Sequence, residues 1–192
     1  MKDNPLIHRP SGSPEVPRWT ETLRDRSQVL IRPLQAQDRA AEAAFIEGLS
    51  LQARRYRFLG QVASPSEELV EHLVDLDFVH DVAFAATVHE EGRDRIVGVA
   101  RYSVDPDGAT CECAVTVAEA WQERGLGTVL MRHLIEVARA RGIRSMYSID
   151  AVENVGMREL AAHLGFRTRL DPRDPTLYVH RLELQGDGTV PL

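Results

Sequence analysis

The spacing of hydrophobic residues predicts alternating helices and strands along most of the chain. Short apolar or alternating runs indicate strands, and apolar residues that recur every three or four positions indicate helices. Strands are predicted at residues 28–33, 82–89, 95–104, 109–117, 144–151 and 177–184. Helices are predicted at residues 37–49, 51–59, 125–141 and 155–164, and another is predicted to start within residues 64–68.

Three of the predicted strands follow one another with only short turns between them. Residues 90–93 and the Asp-Pro-Asp-Gly sequence at residues 105–108 supply these turns. Consecutive strands with short connections pair antiparallel, because a parallel connection needs a dozen or more residues. The sequence therefore predicts the mixed α/β (α+β) class, with a mostly antiparallel sheet and helices packed on it.

The composition fits one globular domain with polar ends. Of the 192 residues, 43% are hydrophobic and 27% are charged, which is an ordinary balance for a soluble domain. Residues 1–26 are predicted to form a flexible lead-in, residues 27–185 the folded domain, and residues 186–192 a loose tail. No apolar run is long enough for a signal peptide or a membrane span, so we expect a cytoplasmic protein with no membrane partner.

Net charge and cysteine usage argue against several kinds of partner. The formal net charge of −6 disfavours a broad nucleic-acid-binding surface. Cys111 and Cys113 stand two positions apart on one predicted strand, where a disulfide closes poorly, and are expected to be small core residues. No spacing of histidine, cysteine and carboxylate residues suggests zinc. We expect no metal and no nucleic acid, and the sequence leaves monomer and homodimer both open.

A glycine-rich turn stands where the longest predicted helix begins. Residues 122–127 are Gln-Glu-Arg-Gly-Leu-Gly, and apolar residues then recur at helical spacing up to Ala138. The first turn of a helix leaves backbone N–H groups unpaired at the positive end of the helix dipole, and phosphate suits both features. Gly125 and Gly127 remove the β-carbons that would hold a diphosphate off the backbone, and Thr128 adds a hydroxyl. A tight turn without a ligand is the alternative.

This turn and a later segment resemble the GNAT superfamily of N-acetyltransferases. The acetyl-CoA motif of that family is Gln/Arg-x-x-Gly-x-Gly/Ala, which Gln122, Gly125 and Gly127 match, and Asn154 with Gly165-Phe166 matches its second cofactor segment. The resemblance implies the GNAT fold, with helices on both faces of the sheet, and acetyl-CoA as co-substrate. The residues expected to bind acetyl-CoA are Val115, Val117, Gln122, Glu123, Arg124, Gly125, Leu126, Gly127, Thr128 and Asn154. For Asn154, capping of the helix that follows it is the alternative, and the two roles can coexist.

Four segments resemble, more narrowly, the acetyltransferase domain of bacterial Pat-type protein-lysine acetyltransferases. They are TLRDRSQVLIRPLQAQD, LSLQARRYRF, DFVHDVAFAA and CECAVTV. This resemblance implies acetyl transfer from acetyl-CoA to a protein lysine by direct attack. Two alternatives stay open: transfer to a small-molecule amine, and a non-catalytic module that senses acyl-CoA.

Glu112 is the candidate catalytic residue. It lies inside the predicted strand at residues 109–117, on the face opposite Cys111 and Cys113, where a carboxylate is costly unless it is paired or used. An amine attacks a thioester only when neutral, and lysine has a reference pKa of about 10.4, so a general base must take its proton. The Pat-type resemblance places the catalytic glutamate in a Glu-x-Ala-Val segment that corresponds to Glu112. An exposed edge position or a pairing with an arginine is the alternative.

Two further features of the sequence bear on the site. Many GNAT members carry a tyrosine proton donor seven residues after the asparagine, and Ala161 stands there in this chain. The arginines of the second predicted helix, Arg54, Arg55 and Arg57, are expected on a solvated face, with Tyr56 and Phe58 in the core.

Overall fold

Eight strands form one sheet in the computed structural model, which describes residues 17–60, 64–90 and 92–185. The strands are β1 (Trp19–Thr22), β2 (Gln28–Pro33), β3 (Asp81–Glu90), β4 (Arg93–Val104), β5 (Thr110–Val117), β6 (Ser145–Ala151), β7 (Arg167–Leu170) and β8 (Leu177–Glu183). The helices are α1 (Arg39–Gly48), α2 (Leu51–Phe58), α3 (Glu67–Val74), α4 (Leu126–Ala140) and α5 (Val155–His163). None of these helices is long and apolar enough to cross a membrane.

The sheet is antiparallel throughout except at one pair of strands. Its order is β1-β2-β3-β4-β5-β6-β8-β7, and only β5 and β6 run parallel. The predicted meander is therefore confirmed as β3, β4 and β5. The parallel pair is joined by a crossover that contains α4, as parallel strands require.

Helices cover both faces of the sheet, because successive residues of its central strands point to opposite sides. Phe84 of β3 packs in one core with Leu134 of α4. Its neighbour Ala83 packs in a second core with Phe45 of α1 and Leu73 of α3. The predicted class, a mixed and mostly antiparallel sheet between helices, is confirmed.

Serine caps fix the starts of α2 and α3. The Ser50 hydroxyl accepts a hydrogen bond from the backbone N–H of Ala53 at 3.1 Å, and the Ser66 hydroxyl accepts one from Leu69 at 3.1 Å. Each hydroxyl satisfies an N–H group that the first helical turn leaves unpaired. The predicted start of a helix within residues 64–68 is confirmed by α3.

The strand β1 corrects the prediction that residues 1–26 form a flexible lead-in. Trp19 pairs with Ile31 of β2, and its ring stacks on His133 of α4 with 3.9 Å between ring centres. Leu23, just after the strand, is 5% exposed in the core beneath α4. The sequence signal is weak because three of the four residues of β1 are polar. The first 16 residues of the lead-in, and the predicted tail at residues 186–192, lie outside the described residues.

The edge strand β7 is the second strand that the sequence does not predict. All four of its residues are exposed, so no apolar alternation marks it. It pairs with β8 at the end of the sheet, where a short polar strand protects the edge from unwanted pairing.

Replacing Leu23 by alanine tests whether the β1 segment belongs to the fold. Because its side chain is buried in the core under α4, Leu23→Ala is expected to lower the free energy of unfolding by about 2–4 kcal/mol. The matched control Thr22→Ala, at an exposed position, is expected to change it by less than about 1 kcal/mol. Urea unfolding followed by circular dichroism measures both values. Equally small changes would mean that this segment contributes nothing to the domain.

Candidate functional site

A cavity of about 730 Å³ lies between the end of β5, the start of α4, the β6–α5 connection and α2. Its volume is in the range of small-molecule and cofactor sites. The cavity brings together almost every residue that the sequence singles out. These residues are Glu112, Val115, Val117, Gln122, Glu123, Gly125, Leu126, Gly127, Thr128 and Asn154.

The cavity exists because β5 and β6 separate after a short stretch of pairing. Residues 110–112 pair with residues 145–147. Beyond them, β5 stays paired with β4 as far as Val117, and β6 stays paired with β8 as far as Ala151. Residues 113–117 therefore present an edge with no strand beside it, and an extended ligand can hydrogen-bond to such an edge as an added strand does.

The turn before α4 keeps its backbone N–H groups free. Glu123 and Gly125 have φ angles of 60° and 88°, which direct the chain into the helix that starts at Leu126. Within the described residues, no hydrogen bond uses the backbone N–H groups of residues 123–128. These groups stand at the positive end of a 15-residue helix, an arrangement that suits phosphate oxygens.

The two glycines of the turn serve different purposes. Gly125 adopts a left-handed conformation that other residues rarely accept, and a β-carbon there would lie 3.3 Å from Nε of Arg24. Gly127 lets α4 approach its neighbours, because a β-carbon there would lie 3.4 Å from Leu160 Cδ2 and 3.8 Å from Val117 Cγ2. One added carbon reaches van der Waals contact, so a branched side chain has no room at position 127.

Gln122 and Arg124 use their side chains for the fold. Gln122 lines the cavity, and its Nε2 donates to the carbonyl of Val117 at 3.1 Å, which joins the glycine turn to β5. Arg124 turns away from the cavity: its guanidinium pairs with Asp25 at 2.7 Å and lies over the Trp121 ring at 4.7 Å. The expected acetyl-CoA contact of Arg124 is thereby reduced to its backbone N–H group.

Arg24 lines the cavity, although the sequence prediction does not include it. Its backbone N–H donates to the Arg124 carbonyl at 3.1 Å, and its side chain crosses over Gly125. A guanidinium beside unpaired N–H groups adds positive charge and further donors for an anion. The sequence hides this residue because it lies in the segment that composition assigns to the lead-in.

Asn154 caps α5 and lines the cavity at the same time. Its Oδ1 accepts a hydrogen bond from the backbone N–H of Met157 at 3.2 Å, which is an N-cap contact. The cap is confirmed, and because the cap uses only the amide oxygen, the amide nitrogen is left for a ligand. The two roles that the sequence leaves open are compatible.

Glu112 opens into the cavity from the centre of the sheet. Its side chain is exposed there and makes no hydrogen bond or ion pair with any residue that the structure describes. Partial burial and the nearby Asp105 raise the pKa of its carboxyl, Arg57 opposes the rise, and Asp150 adds to it. A carboxylate with a raised pKa holds a proton more tightly, which suits a general base. The alternative that Glu112 lies on an exposed edge strand is excluded, because β5 lies between β4 and β6 in the sheet.

Asp150 is a second carboxylate in the cavity, and the sequence gives no sign of it. Its side chain is 14% exposed, and Nε2 of the buried His180 lies 4.0 Å from its carboxylate. The Ser148 hydroxyl donates to it at 2.8 Å. Burial raises the pKa of Asp150, while Ser148, His180 and Arg57 act in the opposite direction.

Cys113 stands at the cavity wall, but its thiol is turned into the core. The side chain is 3% exposed, and burial raises its pKa well above the ordinary cysteine value. Burial also raises the pKa of Cys111 to about 12. Both thiols are free and pack beneath α4, which confirms that they are small core residues.

The helix α2 closes one side of the cavity and corrects the expectation of a fully solvated arginine face. Arg57 is half-buried and lines the cavity, whereas Arg55 is exposed as expected. Tyr56, expected in the core, instead lines the cavity, where its hydroxyl donates to the Glu153 carbonyl at 3.2 Å. Phe58 packs against the core under α1 and α3, as expected.

Comparison with known proteins identifies the family. The acetyltransferase (GNAT) family model matches residues 49–166, which include Glu112, the glycine turn and Asn154. The chain is 48% identical over 166 residues to Acetyltransferase PA5475 of Pseudomonas aeruginosa, covering 86% of this chain and 89% of that protein. It is 30% identical over 111 residues to Acetyltransferase Pat of Mycolicibacterium smegmatis, covering 57% of this chain and 33% of that protein.

A solved structure with the same fold supports this family assignment. The GNAT domain of S. lividans PAT is similar with a TM-score of 0.79 and 25% identity, covering 86% of this chain and 96% of that domain. The family model spans more than half of the chain, and the expected GNAT fold is confirmed by the shared sheet and helices. GNAT enzymes use acetyl-CoA as co-substrate. The chain belongs to the acetyltransferase (GNAT) family and is an acyltransferase.

Proposed function

We propose that the protein transfers an acetyl group from acetyl-CoA to the side chain of a protein lysine, with Glu112 as general base. One observation carries the proposal. The free N–H groups of the glycine turn and the unpaired carboxylate of Glu112 face the same cavity. Aminolysis of a thioester needs a held acyl donor and a proton acceptor, and the two groups supply these needs.

The donor binds through its diphosphate and its pantetheine arm. Diphosphate oxygens accept hydrogen bonds from the backbone N–H groups of residues 123–128, with Arg24 and the Thr128 hydroxyl beside them. The pantetheine arm follows the free edge of β5, where Val115 and Val117 offer their backbone groups. Their side chains stay with the core.

Glu112 removes the proton that keeps the acceptor unreactive. At pH 7 only about one lysine side chain in a thousand is neutral, so the carboxylate takes the ammonium proton, directly or through a water molecule. The neutral amine attacks the carbonyl carbon of the thioester, and backbone N–H groups at the free edge of β5 polarise that carbonyl. The C–N bond forms, the C–S bond breaks, and the second proton of the attacking nitrogen passes, directly or through water, to the departing sulfur. Coenzyme A therefore leaves as a thiol, whose pKa is about 8.5, as for cysteine.

The charges around the cavity favour a cationic acceptor. The acidic residues that line it are Glu112, Glu119, Glu123, Asp150, Glu153 and Glu159, and the arginines are Arg24 and Arg57. An acidic surface attracts the ammonium group of a lysine and repels an anionic acceptor. The Pat-type resemblance supports the same acceptor class.

Turnover of acetyl-CoA with a panel of acceptors tests this proposal. The purified protein is incubated with acetyl-CoA and either lysine-containing proteins or small amines such as spermidine, and thiol release is followed. Release that depends on a lysine protein, with acetyl-lysine found by mass spectrometry, supports the proposal. Release with small amines alone would reassign the acceptor. Coenzyme A binding without release on any acceptor would identify an acyl-CoA sensor.

Glu112→Gln tests the general base. The amide cannot accept the amine proton, so kcat is expected to fall by roughly 10²–10⁴-fold. The dissociation constant for acetyl-CoA should change little, because the free N–H groups and the edge of β5 remain. The control Glu47→Gln removes an exposed carboxylate outside the cavity and should leave kcat unaltered. Near-normal turnover of Glu112→Gln would remove Glu112 from the mechanism.

Gly127→Val tests the phosphate-binding turn. The branched side chain meets Leu160 and Val117, which displaces the start of α4, so coenzyme A affinity is expected to fall by at least about tenfold. Gly48→Val adds the same atoms where a β-carbon meets no atom within 4 Å, and it should bind normally. Isothermal titration calorimetry measures both affinities. Undiminished affinity of Gly127→Val would refute the assignment of the diphosphate to this turn.

A further inference from the structure

The helix α2 holds Arg57 at a fixed place over the gap between β5 and β6. The backbone N–H of Ser50, its N-cap residue, donates to Oε1 of Glu119 at 2.9 Å. Near its end, the Tyr56 hydroxyl donates to the carbonyl of Glu153 at 3.2 Å. These contacts tie α2 to the segment after β5 and to the segment after β6. Arg57, next to Tyr56, lines the same cavity as Glu112.

Three carboxylates from three different elements act on the Arg57 guanidinium. They are Glu42 of α1, Glu112 of β5 and Asp150 of β6. Within the described part of the chain, Arg57 forms no hydrogen bond or ion pair, and its guanidinium carbon lies 5.0 Å from the ring centre of Phe58. The positive charge is therefore shared among the carboxylates and not bound to one of them.

Glu42 shares this charge from outside the cavity lining. It is 3% exposed, and burial raises its pKa, which disfavours its ionised form. The cation that acts on it most strongly is Arg101 of β4, with Arg57 second. Arg101 also acts on Arg57 as a like charge. Of the three carboxylates, Glu42 acts most strongly on Arg57, and Glu112 and Asp150, which both line the cavity, follow.

Among the residues that the structure describes, the charged groups that act on Glu112 are two anions and one cation. Asp105, from the β4–β5 turn, and Asp150 of β6 disfavour its ionised form, and Arg57 favours it. Tyr147 of β6 also faces Glu112, and its hydroxyl donates to Asp105 at 3.4 Å. Burial, with Glu112 and Asp105, raises the pKa of Tyr147 to about 12, so this phenol stays neutral at physiological pH.

We propose that Arg57 is a positioning residue for the acetyl transfer: its guanidinium keeps the Glu112 carboxylate ionised and so able to accept the amine proton. The effect on rate rests on the proposed function. The coupling between the two side chains does not, and it can be measured in the free protein.

Removing the charge of Arg57 changes the pKa of Glu112 in a direction that can be predicted. The pKa of Glu112 is expected to rise when the Arg57 cation is lost, because Asp105 and Asp150 favour the protonated acid. The base form is then present only at higher pH. Turnover should fall on the acid side of the pH profile and recover as the pH is raised, which a simple loss of structure would not produce.

The test compares Arg57→Met and Arg57→Gln, which remove the charge, with Arg57→Lys, which retains it. Carbon-13 NMR follows the Glu112 carboxyl as the free protein is titrated, and Glu112→Gln assigns the resonance by its loss. The midpoint is expected to move up by about 1 pH unit in the Met and Gln variants and by less in the Lys variant. The acid limb of kcat/KM, measured with acetyl-CoA and a lysine-containing peptide, should move by the same amount.

Arg55→Met is the matched control, since Arg55 is an exposed arginine of the same helix outside the cavity lining. In this variant, the titration midpoint of Glu112 and the pH profile of kcat/KM should equal those of the unmodified protein. An unchanged Glu112 midpoint in both neutral variants would overturn the proposal, even if their activity fell. A shifted midpoint in a protein that acetylates no acceptor would uphold the coupling and refute the proposed function.

Discussion

The parallel pairing of β5 and β6 stops after residues 110–112 meet residues 145–147, and the site depends on that interruption. Each strand keeps its other neighbour, β4 or β8, so the gap is part of the sheet itself. Glu112 is the last residue of β5 that pairs with β6, which puts its carboxylate at the point where the two strands part. Because α4 belongs to the connection between the two strands, its free N–H groups reach the same gap. The backbone topology thus brings the candidate base and the unpaired N–H groups of the glycine turn to one place.

The cavity lining combines hydrogen-bond donors and cations with carboxylates. Its glycine turn, with Arg24, presents unpaired N–H groups and a cation. Its lining also carries carboxylates, among them Glu123 of the same turn, the partly buried Asp150 and the exposed Glu112. Burying like charges together is costly unless an opposite charge lies nearby. Arg57 supplies that charge from α2, and the hydrogen bonds of α2 to both sides of the gap keep it there.

The sequence predicts those features whose signals are local. Helical periodicity locates α4, glycines mark its start, and alternation around Glu112 puts that residue opposite the two buried cysteines. The missed features depend on contacts between distant segments. The strand β1 is polar and is held by β2 and α4, and Arg24 reaches the glycine turn only through that docking. Arg124 is an error of the opposite kind, a predicted contact that the structure does not support. Its position within the motif suggests that its side chain contacts the ligand, but that side chain pairs with Asp25 and lies over the Trp121 ring.

Cys113 lines the cavity, yet it cannot take up the acyl group. The thiolate is the nucleophilic form of cysteine, and burial keeps this thiol protonated. A relay through an acyl-cysteine is closed at this residue, which agrees with the proposed direct transfer, in which the group passes straight from one bound molecule to another. Both molecules then have to be present together, and initial-rate plots should intersect instead of running parallel. An isolated acylated form of the protein, labelled at Cys113 by the donor alone, should never accumulate.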